Sequence, residues 1–348
     1  MQVLATGGTG HLGAHVVAAL LAAGHRVRVL ARRADRVDAA LEPLGWSAAD
    51  VDVYQGDLLD GREALAPAMD GVDALLHAAS LYSLNQADAA RMRRVNVGGA
   101  RTLLELACER GLSRVVYVSS YTAQLPVSGT LTAASPTGAP PGPYPASKAE
   151  AESIALSLAD EGAPIVVTNP GMVFGPDDPG LGESTKILRS VLVDPVSFDI
   201  PGSFPTLDVR DVAAAHVRIL TLDRPARRYL LAGHPLTIAR LRDLVRQVTG
   251  RRKRLLPTPA PIARAIGRAA DVAQRRGVDP GFSSMNIEML LHGPEVDDHA
   301  GQEALGVQWR PIEQTIEDTV AWLYEAKHVT TRQAGCIASG QPVARTRA

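Results

Sequence analysis

The sequence predicts a doubly wound α/β fold: a parallel β-sheet with helices on both faces, followed by a smaller mixed α/β lobe placed to hold a substrate. Three observations carry this reading. A glycine-rich turn joins the first apolar run to a helical period. Short β-branched runs then alternate with helix-competent stretches as far as Pro170, and beyond Pro170 that rhythm is lost.

Val3, Leu4 and Ala5 form an apolar run that breaks at Thr6-Gly7-Gly8-Thr9-Gly10, after which Leu12, Val16, Val17, Leu20 and Leu21 recur at helical spacing until Gly24. Val27-Arg28-Val29-Leu30 follows within a few residues, and a βαβ unit of roughly 30 residues must have parallel strands. Further strands are expected at 51–54, 72–76, 115–118 and 165–167, with long helices at about 87–110 and 144–161. Residues 171–182 and 195–205 read as loops rich in Gly, Pro and Asp, and helical periods return at 237–248 and 262–274. The expected organisation is a Rossmann domain over 1–170, a substrate lobe over 171–328 from which the chain returns to the first domain at about 206–222, and a flexible tail over 329–348, where no period or apolar face is visible from Thr330 onward.

With 348 residues, 36 Lys and Arg and 37 Asp and Glu, the net charge of −1 offers no electrostatic reason to bind nucleic acid or an anionic membrane. A small-molecule partner is the default. Two distant cysteines, Cys108 and Cys336, fit neither a disulfide framework nor a thiolate metal site, and the nine histidines show no metal spacing, so no metal is expected. The chain opens on a strand and turn, leaving no stretch that reads as a signal peptide, and no apolar run approaches the ~18–20 residues of a membrane span. A reducing, cytoplasmic setting fits these features.

Gly7, Gly10 and Gly13 are spaced three apart, and Gly8-Thr9-Gly10-His11-Leu12-Gly13 satisfies G-x-G-x-x-G between a strand and a helix. The first glycine permits the tight turn, the middle one lets backbone approach a pyrophosphate, and the last allows helix and sheet to close on one another. After the second strand, an NAD site usually carries a carboxylate for the ribose 2′-OH, whereas arginine suits the extra phosphate of NADP. Here Ala31-Arg32-Arg33 stands in that place with no carboxylate until Asp35, which points to NADP(H) over NAD, unless Arg32 and Arg33 are only a solvated loop pair. Asp57, in Gly56-Asp57-Leu58, stands where a carboxylate could accept from an adenine amino group or simply form a turn.

Tyr144 and Lys148 are four apart at the start of a helical stretch, so they share a face. A nearby ammonium would favour the phenolate of a tyrosine whose free pKa is about 10. Alone, Y-x-x-x-K also describes a surface helix pair. Its company here is the strand 115–118 ending in Ser119-Ser120 at the sheet's carboxyl edge, where a hydroxyl could donate to a carbonyl oxygen.

Taken together, these segments resemble the extended short-chain dehydrogenase/reductases, also called the NAD-dependent epimerase/dehydratase family. Thr6 to Gly13 is similar to the TGxxGxxG turn, Gly56-Asp57-Leu58 to the adenine-side motif, and Asn96-Val97-Gly98-Gly99-Ala100 to NVxGT. Ser119-Ser120 and Tyr144-Pro145-Ala146-Ser147-Lys148 resemble the Ser and YxxxK elements. Asn169-Pro170-Gly171-Met172-Val173-Phe174-Gly175-Pro176 resembles RPxxVYGP, with Asn169 and Phe174 in place of the usual Arg and Tyr. Asp208 to Ala213 and Ala304 to Trp322 carry the resemblance to about residue 325. It implies catalytic roles for Ser120, Tyr144 and Lys148, with Asn96 supporting the framework. Gly7, Gly10, His11, Leu12, Gly13, Arg32, Arg33, Asp57, Leu58, Ala78, Lys148, Pro170 and Val173 are then expected at the cofactor. Dimerisation through the helices at 87–110 and 144–161 is a further implication of the likeness.

Two departures narrow the reaction. Sugar-nucleotide dehydratases carry Asp-Glu after the catalytic hydroxyl, where this chain has Tyr121-Thr122, and sugar epimerases usually keep an acidic residue after the second strand. The expected activity is hydride transfer between NADP(H) and an apolar ketone or secondary alcohol, in the manner of the dihydroflavonol-reductase-like and 3β-hydroxysteroid-dehydrogenase-like branches. Ala79, Leu81, Tyr82, Met172, Val173 and Phe174 are candidates to surround that substrate, or lobe core. A sugar-nucleotide epimerase or dehydratase and a non-catalytic NADP-binding redox sensor are the competing readings.

Overall fold

The computed structural model describes residues 1–278 and 280–339. Its strands in chain order are β1 (Gln2–Thr6), β2 (Arg26–Ala31), β3 (Asp52–Gln55), β4 (Ala74–His77), β5 (Arg114–Val118), β6 (Ile165–Pro170), β7 (Met172–Phe174), β8 (Val196–Asp199), β9 (Phe204–Asp208), β10 (Arg228–Leu231), β11 (His234–Leu236) and β12 (Arg254–Pro257). Seven of them form one wholly parallel sheet in the order β3-β2-β1-β4-β5-β6-β10. Every residue of β1, β4 and β6 is buried, as expected for strands covered on both faces.

One face packs Val16, Val17, Val29, Leu76, Val116 and Ile219 beneath the helices His11–Ala22 and Val209–Thr221. The other packs Leu4, Leu75, Leu103, Leu104, Val115 and Ile165 beneath Ala100–Glu109 and Pro143–Asp160. Each such side chain stabilises the fold by about 1.5–3 kcal/mol on burial. Strand order reverses between β1 and β4, so the crevice at their carboxyl ends is where a ligand belongs in this architecture.

The remaining strands build the lobe. β7 pairs parallel and β11 antiparallel with β9, and β8 pairs parallel with β12. Helices Glu183–Val193, Ile238–Thr249, Ala260–Arg275, Ser284–Leu291 and Ile312–Glu325 complete it.

The structure differs from the sequence reading in several places, the first being that β7 lies within residues 171–182, which read as loop. Residues 195–205 contain β8 and the start of β9, because pairing with β12 and β11 orders a stretch whose prolines suggest loop. β10 returns to the main sheet beside β6, a strand the periodicity does not announce. The long helix at 87–110 carries a π-helical stretch, Arg94–Gly99, between two α-helical segments. Residues 330–339 of the expected tail are folded: Thr330 and Gln333 form a capping box, and buried Ala334 joins the lobe core. The rest of that tail, 340–348, lies outside the described residues.

Candidate active site

The glycine turn is locked by its own backbone. Gly7 adopts φ +76°, and a Cβ there would fall 2.7 Å from the Ala79 nitrogen; one at Gly13 would fall 2.0 Å from the Gly7 oxygen. A Cβ at Gly10 meets only the Gly7 oxygen at 3.4 Å, so this residue faces open space. Helix His11–Ala22 begins there with no side-chain cap and no acid in its first turn, leaving N–H groups and the positive dipole end for an anion. A cleft of about 1060 Å³, counting the part open to solvent, runs from Thr9 and Gly10 past Arg32, Asp57 and Leu58 to Ala78. Its glycine turn, its volume and the arginines that line it fit a dinucleotide.

Of the two arginines expected to meet a 2′-phosphate, only Arg32 lines this cleft. Arg33 is turned away, its guanidinium donating to both oxygens of exposed Asp35 at 3.0 and 2.6 Å. Arg91 supplies a second guanidinium that sequence reasoning missed. Asp57 lines the cleft and also forms the turn, accepting from the Leu59 N–H at 3.0 Å. The His11 side chain lines neither this cleft nor the adjoining one; its Nε2 pairs with the Pro176 carbonyl at 3.0 Å.

An adjoining cleft of about 880 Å³ gathers Leu12, Ala78, Ser120, Tyr144, Lys148, Pro170 and Val173. Pro143 and Pro145 open the helix Pro143–Asp160, and Ser147 fixes its first turn by donating to the Tyr144 carbonyl at 2.7 Å. Asn96 donates to that Ser147 hydroxyl at 2.9 Å and pairs with both backbone groups of Leu81 at 2.7 and 2.9 Å. It holds the first turn of that helix from the π-helical stretch and does not itself line the cleft. The two adjacent serines are distinguished clearly. Ser119 donates to Glu152 at 2.5 Å, whereas the Ser120 hydroxyl accepts from Thr122 at 2.9 Å in the cleft it shares with Tyr144.

Burial pushes the Tyr144 phenol up to about 12, with the Ser120 hydroxyl pulling the other way. The expected lowering by Lys148 is absent from this arrangement, because the lysine Nζ donates to the Val118 carbonyl at 2.8 Å. Burial lowers Lys148 itself to about 8, opposed by Glu152. That fully buried carboxylate is a residue the sequence reading passed over. It accepts from Ser119 and Asn169 on one oxygen and from Thr137 and Arg228 on the other. Its signal was present: Glu152 follows Lys148 by four, on the same helix face.

Beyond Tyr144 lies a third space. Tyr82 packs edge-on against Tyr144, ring centroids 4.3 Å apart, and stands with Tyr121, Met172, Ile187 and Met289 between the cleft and an apolar cavity of about 820 Å³ in the lobe. Of the other residues expected around a substrate, Ala79 and Leu81 line the dinucleotide cleft, and Phe174 is buried in the lobe core. Among the described residues no three His, Cys, Asp or Glu side chains gather as a metal site, and no helix is long and apolar enough to cross a membrane.

Residues 3–232 match the NAD dependent epimerase/dehydratase family. The chain belongs to that family. It is 31% identical over 341 residues to the sterol demethylase protein B of Methylococcus capsulatus, covering 93% of this chain and 99% of that protein. It is also 31% identical over 339 residues to a putative dihydroflavonol 4-reductase of Synechocystis sp., covering 94% and 96%. The crystal structure of gox2253 superposes with a TM-score of 0.78 at 25% identity, covering 95% of this chain and 99% of that one. This member of the family is an NAD(P)-dependent oxidoreductase with a Rossmann α/β fold.

Proposed function

We propose that the protein is an NADP(H)-dependent reductase, transferring a hydride between nicotinamide and the carbonyl or secondary alcohol of a small apolar substrate. The observation that carries this reading is the lobe cavity. It meets the Tyr144 cleft directly, and no charged side chain is among the described residues that line it; Thr258, Asn286, Tyr82 and Tyr121 are its polar groups. The diphosphate of a nucleotide-sugar would find no cation there, while a flat or elongated hydrocarbon would fill it. Relatives named for a sterol and a dihydroflavonol accord with this.

The turn at Gly7, Gly10, Leu12 and Gly13 would hold the pyrophosphate, Arg32 the 2′-phosphate, Asp57 and Leu58 the adenine end, and Ala78, Pro170, Val173 and Lys148 the nicotinamide end. When bound, the dinucleotide supplies or takes the hydride. Tyr144 donates a proton to the substrate oxygen, and Ser120 donates a hydrogen bond to the same atom as charge grows on it. A phenol held near 12 stays protonated at neutral pH, which suits the acid of a reduction. Asn96 and Ser147 keep the helix that carries it in place.

Beside Ser120, where sugar-nucleotide dehydratases carry Asp-Glu, Thr122 instead donates to the Ser120 hydroxyl at 2.9 Å. The carboxylate at the cleft edge, Glu183, is paired with Lys186 at 2.6 Å. Both cysteines are free, in accord with a cytoplasmic setting. A homodimer through the helices that carry Asn96 and Tyr144 is the assembly the family likeness supports. Titration with NADPH and NADH, followed by a carbonyl screen monitored by loss of reduced-nicotinamide absorbance, tests the reading. NADPH preference with turnover of hydrophobic ketones is expected; turnover of a nucleotide-sugar and of no hydrophobic ketone would overturn it.

A further inference from the structure

The whole-chain charge balance conceals a strongly cationic stretch. Between Asp243 and Asp279 the sequence carries nine Lys and Arg and one carboxylate, Asp271, a surplus of eight positive charges in a molecule whose net charge is −1. Asp271 does not neutralise the surface: it is buried, accepting from the Ser284 N–H and hydroxyl. Arg252, Arg254, Arg268, Arg275 and Arg276 are exposed and form no ion pair with any described residue.

The same stretch displays large apolar side chains. Phe198 on β8 and Leu256 on β12 are register neighbours, each 46% exposed, and Ile262 is 54% exposed in the first turn of helix Ala260–Arg275. These three are half of the large hydrophobic residues exposed on the described chain. They also stand at the outer end of the lobe cavity. Phe198 lines it, and Ile262 precedes by one and four residues Ala263 and Ile266, which line it too. Around the helix, Ile262, Ala265, Arg268, Ala269 and Arg275 share the exposed arc, so arginines border the apolar rim. Arg254 stands two residues before Leu256, on the same side of β12.

We propose that this rim docks the protein on an anionic lipid surface, with Leu256 and Ile262 entering the headgroup boundary, the free arginines facing lipid phosphates, and the cavity mouth opened toward the bilayer. Exposed apolar side chains ringed by unpaired arginines match such an interface in both chemistry and charge. A nucleic acid would satisfy the arginines and leave Leu256, Ile262 and Phe198 against a polyanion. The docking goes beyond the proposed reaction and does not depend on which carbonyl compound is reduced. It also revises the exclusion of anionic membranes drawn from overall charge: the local surplus, and not the total, is what a surface meets.

Flotation of the full chain with vesicles of phosphatidylcholine and phosphatidylglycerol in equal parts, and with phosphatidylcholine alone, tests the proposal. Binding to the anionic vesicles alone, weakened by high salt, is expected. Leu256→Glu with Ile262→Glu should abolish it, and R252E/R254E/R268E should weaken it by roughly a hundred-fold or more, at about five-fold per arginine. Circular dichroism and unchanged NADPH binding verify that these surface variants fold. The proposal is overturned by absence of anionic-vesicle binding, by binding that survives both sets of changes, or by duplex DNA binding that the Leu256 and Ile262 changes leave intact. It is equally overturned if light scattering shows that the rim is buried in a dimer that those two changes dissociate.

Discussion

Arg228 of β10 places its Nη2 2.5 Å from Oε1 of Glu152, beneath the serine and lysine of the candidate site. At position 169, where the family motif usually carries arginine, Asn169 instead bridges Glu152 Oε2 and the Ser120 carbonyl at 2.6 and 3.0 Å. The guanidinium that faces the buried carboxylate thus comes from the neighbouring strand. Removing it with Arg228→Met leaves a buried charge and is expected to cost about 3–5 kcal/mol of stability. Glu152→Gln in the same chain should restore part of that loss, as urea denaturation of the two single variants and the double variant would show.

Tyr144→Phe should reduce turnover by roughly 10²–10⁴-fold while leaving the Kd for NADPH nearly unchanged, since only the proton donor is removed. Steady-state rates alongside fluorescence titration check both halves. Retained full turnover would show that Tyr144 is not the proton donor.

Arg32 and Arg33 should separate cleanly. Arg32→Glu is expected to weaken NADPH by about ten-fold or more and to narrow or invert its advantage over NADH, because a charge-assisted contact becomes repulsive. Arg33→Glu breaks only an exposed pair with Asp35 and should change either KM by less than about two-fold. Equal effects at both positions would show that the loop rearranges around the phosphate.

Lys148 gives the stability a pH dependence of definite sign. Burial holds its folded pKa at about 8 against an ordinary 10.5, so between those values the unfolded chain retains a proton that the folded chain has lost. Stability contributed by this site therefore rises with pH, by about 2 kcal/mol between pH 7.5 and 9.5. The slope should be missing from Lys148→Met, compared with the unaltered chain by denaturant titration at both pH values.

Ala263 lines the lobe cavity away from Tyr144, so Ala263→Trp should occlude its outer part without touching the chemistry. Small ketones should keep their kcat, and long or polycyclic ones should lose at least about ten-fold in kcat/KM, the worth of two buried methylenes. Loss of activity toward every substrate alike would argue that the cavity is structural core.

How much of this was legible depended on the range of the interactions. The glycine turn, the parallel strands through β6, and the spacing of Tyr144 and Lys148 are local patterns, and the sequence displays them. Ser120 over Ser119 came from the family motif, and the structure separates the two through Glu152, a partner 33 residues away. Arg228 was not legible, because its strand has no period of its own and exists by pairing with β6. Arg33 could not be told from Arg32 without knowing that Asp35 claims it. The direction of Lys148 was misread because spacing reports proximity along a helix and not the carbonyl of Val118, which lies 30 residues earlier.

The return of the chain at Val209–Thr221 and β10 means that the lobe proposed to hold the substrate is inserted in pieces. A foreign pocket could not be transplanted as one cassette: the exchange would need two segments, one between β6 and β9 and one after β10, spliced around a shared seam. Diversification of the pocket in such an architecture proceeds by substitution along its walls more readily than by wholesale exchange.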